Sequence, residues 1–534
     1  MNEKITNYQK VRDDLLDSFE KIDSFIEDII AERTTLEERF KEFKKIAEFR
    51  NYKINDESIK KLMNKPYTIV DVYKPNIWKV VVWNGVDFSI GWLESQDEAF
   101  DIYLVNKYAS FLGEIPEILK ERFQFKEELP LKVFDGILLT GEKHQQEAWD
   151  RYKHHLSKRE GSDRIRIIRG HEFNLICEMI ADGILPFRPL PLDSKDLIDI
   201  DVSFTLSEYQ LRIWEKFLTL GAMGIFWASQ SGKTFVGLYA LAHISGKKLV
   251  IVGTTATLVE QWIERILRFI PNYRKCSYDP RKLIYYDNNN RPTKEEIIVQ
   301  TYQSYHKIKD QEFTFTIFDE CHHLPATTYS RLSTIKTKYR MGLSATPYRE
   351  DGRTNLIFGL TGYPEGLSWD ILFQLGVIKK PDIICYRVTN DKDKVNKLQE
   401  LLEEKNKTLV FCDSKDFGYY LEKTFGYPYV SGDTKPEDRL GIINQSIITF
   451  VSRVGDEGIA IDNIERTIEV GYHGKSKRQA IQRAGRGQAS EIALKSNKTV
   501  KHIIIMTDEE FDNDWLERSK PYREKKFNIA IIRA

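Results

Sequence analysis

A loop of small residues lies between two apolar segments near the middle of the chain. It follows the apolar run 223–227 and precedes a segment typical of a helix, and it reads Ala228-Ser229-Gln230-Ser231-Gly232-Lys233-Thr234. Backbone N–H groups at a helix N-terminus bind phosphate oxygens, and the helix dipole favours negative charge there. This pattern predicts a nucleotide site in which Lys233 reaches the β- and γ-phosphates and the Thr234 hydroxyl binds Mg²⁺.

An acidic pair follows about 86 residues after Lys233. The apolar, strand-like segment 315–318 ends in Asp319-Glu320-Cys321-His322. A carboxylate at a strand end beside a phosphate loop can hold Mg²⁺, and a second carboxylate can orient the attacking water. We assign the first role to Asp319 and the second to Glu320. An acidic pair alone is more often a solvated strand end, but downstream of a Gly-Lys-Thr loop the catalytic interpretation is favoured.

Composition limits the classes of protein that fit. The chain has 534 residues, enough for about three domains. Basic and acidic residues number 80 each, so nucleic-acid binding would have to come from a local patch or from backbone amides. The five cysteines lack paired metal spacing, which fits a reduced intracellular protein and not a disulfide framework or zinc site. With neither a signal peptide nor an apolar span, we expect a cytoplasmic or intracellular location and no membrane partner.

The second part of the chain has the pattern of parallel α/β sheets. From about residue 200, helical stretches alternate with short apolar segments at 248–252, 297–301, 315–318, 408–411, 448–451 and 502–505. Strands that alternate with helices favour parallel sheets, and at least two sets are present. The sequence therefore predicts two such domains in tandem.

The first 195 residues differ from the rest. Residues 1–50 have apolar positions at helical spacing, which predicts an amphipathic hairpin on its own domain or, less favoured, a coiled coil that binds a partner. Residues 66–95 predict β structure with a hairpin turn at Asn84-Gly85. Its tryptophans are more often core residues than base-stacking platforms. The proline-rich segment 185–191 is the best linker candidate.

Residues 96–183 indicate mixed structure. The segment 164–168 predicts a strand with a helix after it. His144, His154 and His155 lie in a polar helical stretch and are expected to be exposed.

Between about residues 200 and 490 the chain resembles superfamily 2 helicases and translocases. Residues 206–210 look like the upstream motif whose glutamine recognises adenine, which implies that role for Gln210. Residues 254–262 and 300–304 look like motifs Ia and Ic, so Thr255 and Thr301 would contact a nucleic-acid backbone. Residues 344–347, Ser-Ala-Thr-Pro, look like motif III, which couples the ATP state to the grip on nucleic acid.

The second predicted sheet domain contains two further motifs. Residues 452–462 resemble motif V, in which Gly455 and Asp456 would bridge nucleotide and strand. Residues 482–487 resemble motif VI, the source of arginine fingers. The resemblance implies that Gln482, Arg483 and Arg486 complete the ATP site from the other domain, where arginines stabilise transition-state charge.

Two details resemble the XPB group of DNA helicases and translocases. One is Arg349-Glu350-Asp351, which supports duplex opening in that group, and the other is the stretch 473–479. The chain also departs from the family pattern. Trp227 and Gln230 replace small residues of the loop, Ala489 replaces the last motif VI arginine, and 351–408 leaves little room for the group's thumb insertion.

The sequence thus predicts an α/β fold with two tandem RecA-like parallel-sheet domains and an N-terminal α+β accessory region. The expected boundaries are 1–195 for the accessory region, 196–372 for the ATP-binding domain and 373–534 for the C-terminal helicase domain. The expected cofactors are ATP and Mg²⁺, and the expected partner is single-stranded or duplex DNA. We expect the protein to be a monomer that can bind a protein partner through its N-terminal helices. If the protein is viral, we expect it in the cytoplasm of the host cell.

The expected function is an ATP-dependent DNA helicase or translocase, with 3′–5′ polarity by resemblance. The first alternative is a duplex DNA translocase that remodels protein–DNA complexes without unwinding. The second is an ATP-regulated scaffold that recruits a nuclease partner. The acidic pair argues against the scaffold, whereas the loss of an arginine at position 489 keeps it open.

Overall fold

The computed structural model of the chain describes residues 67–74, 77–83, 92–96, 100–106, 131–182, 184, 186, 191–228, 231–253, 255–345, 353–366, 372–373, 377–455, 464–471, 477–487, 500–524 and 527–534. Several predictions concern residues outside these ranges. They are the helical hairpin in 1–50, the hairpin turn at 84–85, most of the linker 185–191, and the site residues Ser229, Gln230, Arg349, Glu350, Asp351 and Asp456.

Two small antiparallel sheets precede the tandem α/β units. The first has the order β1-β2-β4-β3, with β1 Tyr67–Lys74, β2 Ile77–Trp83, β3 Trp92–Gln96 and β4 Phe100–Asn106. The second has the order β5-β6-β8-β7, with β5 Lys132–Phe134, β6 Ile137–Leu139, β7 Leu156–Glu160 and β8 Arg164–Ile167. Two helices belong to this segment, α1 at Gln145–Tyr152 and α2 at Glu172–Ala181. The predicted strand at 164–168 and the helix after it are therefore confirmed, as β8 and α2.

The first large sheet has eight strands in the order β11-β12-β13-β10-β14-β15-β9-β16. Its strands are β9 Ala222–Phe226, β10 Lys247–Val252, β11 Tyr273–Lys275, β12 Lys282–Tyr286, β13 Pro292–Thr301, β14 Glu312–Asp319, β15 Lys336–Ser344 and β16 Tyr363–Gly366. Six neighbouring strands are parallel, in the order β13-β10-β14-β15-β9-β16. β11 and β12 extend one edge of the sheet as an antiparallel hairpin. The helices of this unit are α3 Glu208–Leu220, α4 Lys233–His243, α5 Ala256–Phe269 and α6 Thr354–Thr361.

The second large sheet is parallel throughout its described strands. Its order is β19-β20-β18-β21-β22-β17-β23, with β17 Asp382–Val388, β18 Thr408–Cys412, β19 Tyr429–Val430, β20 Ile448–Val451, β21 Arg466–Gly471, β22 Lys501–Thr507 and β23 Asn528–Arg533. Its helices are α7 Asp391–Glu403, α8 Lys415–Phe425, α9 Pro436–Gln445, α10 Lys477–Ala484 and α11 Asp508–Glu524. All six apolar segments predicted as strands are confirmed, and so is the fold class of two parallel-sheet domains.

The segment 131–184 packs directly on the first large sheet. Leu175, Ile176 and Ile180 of α2 share a hydrophobic cluster with Phe226 of β9 and with residues of α6. The approach is close, because a Cβ at Gly359 of α6 would lie 2.2 Å from Ile180 Cδ1. A larger residue at 359 would therefore push the two helices apart.

Residues 353–408 build parts of both large units. In this span α6 and β16 belong to the first sheet unit, and β17 and α7 belong to the second. The described part of the span therefore holds no separate insertion between the two units. Among the described helices, none is both long and apolar enough to cross a membrane.

Candidate nucleotide site

The Gly-Lys-Thr loop begins at the carboxyl end of a completely buried strand. All five residues of β9 are buried, and β15 and β16 flank it on its two sides. Gly232 precedes α4 and has φ +89, in the left-handed region that favours glycine. A Cβ at this position would also lie 2.4 Å from Gln210 Nε2. The loop therefore needs glycine both for its backbone conformation and for its packing.

Side chains on both sides fix the loop. The Ser231 hydroxyl donates to the Ala228 carbonyl at 2.7 Å, and the Tyr209 hydroxyl donates to the Ser231 carbonyl at 3.0 Å. The ring of Tyr209 contacts that of Trp227, with centroids 5.2 Å apart. Trp227 is completely buried, so this unusual residue is part of the core beneath the loop.

Gln210 connects α3 to the loop. Its Oε1 accepts hydrogen bonds from the Ser207 backbone N–H at 2.8 Å and the Ser207 hydroxyl at 2.9 Å, which caps the helix. Its Nε2 donates to the Gly232 carbonyl at 3.1 Å. The residue predicted to read adenine thus also couples the start of α3 to the phosphate loop.

Lys233 lies between the loop carbonyls and two carboxylates. Its Nζ donates to the carbonyls of Trp227 at 2.9 Å and Ala228 at 2.8 Å. Burial lowers the pKa of Lys233 to about 8, while the nearby carboxylates of Glu320 and Asp319 act in the opposite direction. The structure therefore brings the predicted lysine and both predicted acids into one site, with Thr234 next in α4.

Strand order explains why the acids meet the loop. β15 lies between β14 and β9, with Asp319 opposite Leu343 and Phe226 opposite Ser344. The carboxyl ends of these parallel strands therefore meet at one edge of the sheet, the usual place for a ligand site.

Asp319 is held by two donors. Its Oδ2 accepts from Trp262 Nε1 at 2.7 Å, and its Oδ1 accepts from the Glu320 backbone N–H at 3.0 Å. Burial, and then the neighbouring Glu320 carboxylate, raise the pKa of Asp319 to about 6. The hydrogen bond from Trp262 acts in the opposite direction, so this tryptophan favours the ionised form.

His322 joins the acidic pair to motif III, a role that the sequence reasoning did not assign. Its Nδ1 lies 2.9 Å from the Ser344 hydroxyl and 3.3 Å from Glu320 Oε2. Glu320 has φ +51, a left-handed conformation that costs a non-glycine residue about 1–3 kcal/mol. His322 follows the acidic pair and Ser344 begins the motif III segment, so both residues lie within predicted motifs. Only the fold shows that their side chains are in contact.

Arg483 makes contacts that the sequence reasoning did not predict. Its role across the cleft stays a prediction, and in the structure its guanidinium is completely buried within the second unit. It donates to Asp413 Oδ1 at 2.5 Å and to Glu469 Oε2 at 3.1 Å, and both carboxylates are also buried. Two buried carboxylates need a buried cation, so this arginine neutralises charge inside its own domain.

The other motif V and VI residues lie at the carboxyl ends of the second sheet. Gln482 is buried in α10, and Arg486 is buried in the 3-10 helix Gly485–Gly487 that follows. Gly455 is buried at the end of the 3-10 helix Arg453–Gly455, directly after β20. These three residues keep their predicted roles as predictions.

The predicted nucleic-acid contacts lie on neighbouring strand ends. Val252 of β10 pairs with Thr301 of β13, and Thr255 precedes α5 just beyond β10. The Thr301 hydroxyl contacts the Ser304 hydroxyl at 3.0 Å, whereas the buried Thr255 Oγ1 has no hydrogen-bond partner within the described ranges.

The two large units contact each other beside this pair of strand ends. Arg439 of α9 donates to the hydroxyl of Thr257 in α5 at 3.1 Å. The predicted motif Ia helix therefore touches the second unit directly.

A basic cavity of about 1120 Å³ lies at the opposite end of the first sheet. It meets the first residue of β9, Ala222, and the first residues of β15, whereas the phosphate loop follows the last residue of β9. Its basic lining includes Lys132, Arg169, Lys336, Lys338, Arg340 and Arg353. Although large cavities often mark ligand sites, the nucleotide chemistry here lies at the other end of the strands.

Comparison with known proteins agrees with this architecture. Residues 203–349 match the family described as type III restriction enzyme, res subunit, and residues 393–488 match the helicase conserved C-terminal domain. A phosphate loop and acidic pair on one parallel sheet, followed by a second parallel sheet with these matches, define a protein of helicase superfamily 2. Within that superfamily, the chain is similar to proteins named as Rad25 and XPB helicases or translocases.

The relatives that support this assignment are distant. A putative DNA 3′-5′ helicase Rad25 of Haloarcula marismortui is 28% identical over 355 residues, which cover 59% of this chain and 56% of the relative. The DNA 3′-5′ translocase XPB2 of Sulfurisphaera tokodaii is 26% identical, covering 61% of this chain and 86% of the relative. The XPB/SSL2 helicase/translocase subunit of Saccharomyces cerevisiae is 27% identical, covering 54% and 40%. The chain spans about half the length of the Haloarcula marismortui Rad25 protein and of a second putative DNA 3′-5′ helicase Rad25, from Halobacterium salinarum.

Proposed function

We propose that this chain is an ATP-driven motor that translocates along DNA, with 3′–5′ polarity. The observation that carries the proposal is the convergence of Lys233, Asp319 and Glu320 at one sheet edge. The helicase-domain match supports a motor, and the names of the relatives support DNA as the track.

The roles of the site residues follow from charge and position. Backbone N–H groups at the start of α4 would bind phosphate oxygens, and Lys233 would neutralise the β- and γ-phosphates. Glu320, held near His322, would accept the proton of the attacking water. Gln210 would bind the adenine base, and its hydrogen bond to the Gly232 carbonyl would couple that binding to the phosphate loop. Arg486 would supply positive charge from the second domain.

The residues present fit a magnesium ion. Burial, and then the neighbouring Glu320 carboxylate, raise the pKa of Asp319, and a divalent cation would offset both the burial of the charge and the repulsion between the two carboxylates. Asp319 and the Thr234 hydroxyl are the oxygen ligands that would hold it. When bound with ATP, such an ion neutralises developing charge on the phosphates.

We propose the domain limits 1–195, 196–372 and 373–534. The change from β16 in the first sheet to β17 in the second supports the boundary near 372. The hydrophobic cluster shared by 131–184 and the first sheet supports an accessory region that is rigidly attached to the ATP-binding domain.

ATP hydrolysis with different nucleic acids tests the proposal. We expect single-stranded or duplex DNA to stimulate turnover and RNA to do so less. Lys233→Ala and Glu320→Gln should each lower turnover by at least about 100-fold, because they remove phosphate neutralisation and the proton acceptor. Lys423→Ala, at an exposed position in α8, is the matched control and should keep full turnover. Full turnover in both site variants, or stimulation by RNA alone, would overturn the proposal.

Translocation without unwinding is the second candidate. The described helices and strands between residues 353 and 408 all belong to one or the other of the two large sheet units, so this described span contains no thumb-like insertion. This observation favours the second candidate. Displacement of a triplex-forming strand reports translocation on duplex DNA, whereas displacement from 3′-tailed and 5′-tailed duplexes reports unwinding and its polarity. Triplex displacement without duplex separation would select the second candidate.

A further inference from the structure

Three histidines and a glutamate meet in the segment 131–184, apart from the nucleotide site. His154 and His155 end the 3-10 helix Lys153–His155, and Glu178 lies on α2. Glu178 Oε2 lies 2.7 Å from His154 Nε2 and 2.9 Å from His155 Nε2. The expectation that both histidines are exposed is wrong for His155, whose side chain is only 10% exposed.

These three side chains offer a ligand set for a transition metal. One ligand atom from each lies within 4.8 Å of the others. Ligands on a tetrahedral zinc ion at about 2.0–2.1 Å lie about 3.3 Å from one another, so the two contacts to Glu178 need to lengthen by only about half an ångström. Imidazole nitrogens with one carboxylate suit zinc and not magnesium or calcium, which prefer oxygen ligands.

His171 supplies the outer contact that metal-bound histidines usually have. Its Nδ1 lies 3.2 Å from His155 Nδ1, on the opposite side of the ring from Glu178. If His155 Nδ1–H donates to His171, the His155 Nε2 lone pair is directed to the metal. The hydrogen bond would thus fix both the tautomer and the ring orientation.

The surrounding contacts hold the ligands at a fixed separation. Asp182, at the end of α2, accepts from the Tyr152 hydroxyl at 2.9 Å and pairs with Arg151 at 2.8 Å, so α1 and α2 are fastened beside the cluster. Prealigned ligands lose little conformational entropy when a metal binds.

We propose that His154, His155 and Glu178 form a Zn²⁺ site with a fourth position for water. The cysteine spacing had predicted no zinc site, but this set uses histidine and carboxylate ligands only. The metal would clamp the 3-10 helix to α2, which itself packs on α6 through Ile180. The site is independent of the ATP chemistry, so either proposal can fail without the other.

Metal binding by the untagged, full-length protein tests the site. The protein is stripped with a chelator, dialysed against Zn²⁺, and measured by elemental analysis, and Co²⁺ absorption then reports coordination. We expect one zinc per chain and a tetrahedral cobalt spectrum. His154→Gln and Glu178→Gln should each weaken zinc binding by more than the about 10–100-fold typical of an outer-contact loss.

The exposed His154 side chain makes its replacement the cleaner variant, since it is 54% exposed and its loss should not prevent folding. His306→Gln, at an exposed position in the 3-10 helix Tyr302–Lys307, is the matched control and should retain zinc. The site is refuted if the natural protein retains no zinc, or if His154→Gln binds zinc and cobalt as the natural protein does.

Discussion

Replacement of Arg483 by alanine separates two roles for this motif VI residue. If the arginine acts across the cleft, Arg483→Ala should slow ATP hydrolysis and leave the domain intact. The structure predicts instead that the variant destabilises the second domain. The guanidinium is completely buried and contacts the buried carboxylates of Asp413 and Glu469, with the Phe411 ring 4.5 Å away.

The magnitude follows from this burial. Removal of one partner from a buried ion pair leaves an uncompensated charge and costs about 3–5 kcal/mol. Glu469 keeps Arg518 and His502 as partners, and Asp413 keeps Arg453 at 3.8 Å. A domain of this size loses about 2–4 °C of melting temperature per kcal/mol, which predicts a decrease of about 6–20 °C.

Calorimetry of the full chain measures this decrease, with ATP turnover recorded well below the new transition. Arg523→Ala, at an exposed position of α11 in the same domain, is the control and should melt as the natural protein does. An unchanged melting temperature with abolished turnover would refute the burial argument and restore the finger role. Arg483→Lys should recover part of the stability, because it returns a positive charge to the two carboxylates.

Three further predictions concern the nucleotide site and the buried histidine. Gly232→Ala should weaken ATP binding at least about tenfold, because the left-handed backbone costs about 1–2 kcal/mol and the new methyl group displaces Gln210. A fluorescent-nucleotide titration measures this loss. The control is Gly426→Ala, since Gly426 has φ +72 but open space around it. Trp262→Phe should lower DNA-stimulated turnover about tenfold by removing the hydrogen bond to Asp319, and unaltered turnover would contradict this. Burial and Arg483 lower the pKa of His502 from 6.5 to about 3, so only the unfolded chain gains a proton as the pH falls below 6.5. Stability should then fall by about 1.4 kcal/mol per pH unit below 6, and urea titrations of His502→Gln should lack this slope.

Local patterns in the sequence were sufficient for the elements and the order of the motifs. Apolar runs such as 448–451 mark buried parallel strands because every side chain in them faces protein on both sides of the sheet. The Gly-Lys-Thr loop is likewise a local feature, since a strand, a left-handed glycine and a helix are adjacent in the chain. The small first sheet shows the limit of this reasoning. Strand β2 was expected, but its partners are β1 and β4, and the strand expected after the turn at 84–85 lies outside the described residues.

The sequence by itself determined the fold class, the phosphate loop and the identity of the acidic pair. Only the tertiary structure decided which side chains meet. Asp319 and Lys233 converge because β15 lies between β14 and β9, so that the carboxyl ends of these parallel strands lie side by side. Arg483 contacts Asp413 and Glu469 because Asp413 directly follows β18 and Glu469 lies in the neighbouring strand β21. The histidine cluster depends in the same way on how α2 packs against the 3-10 helix before β7. The physical reason is that strand order and helix packing join residues that are distant in sequence, and their contacts leave no periodic signal in either segment.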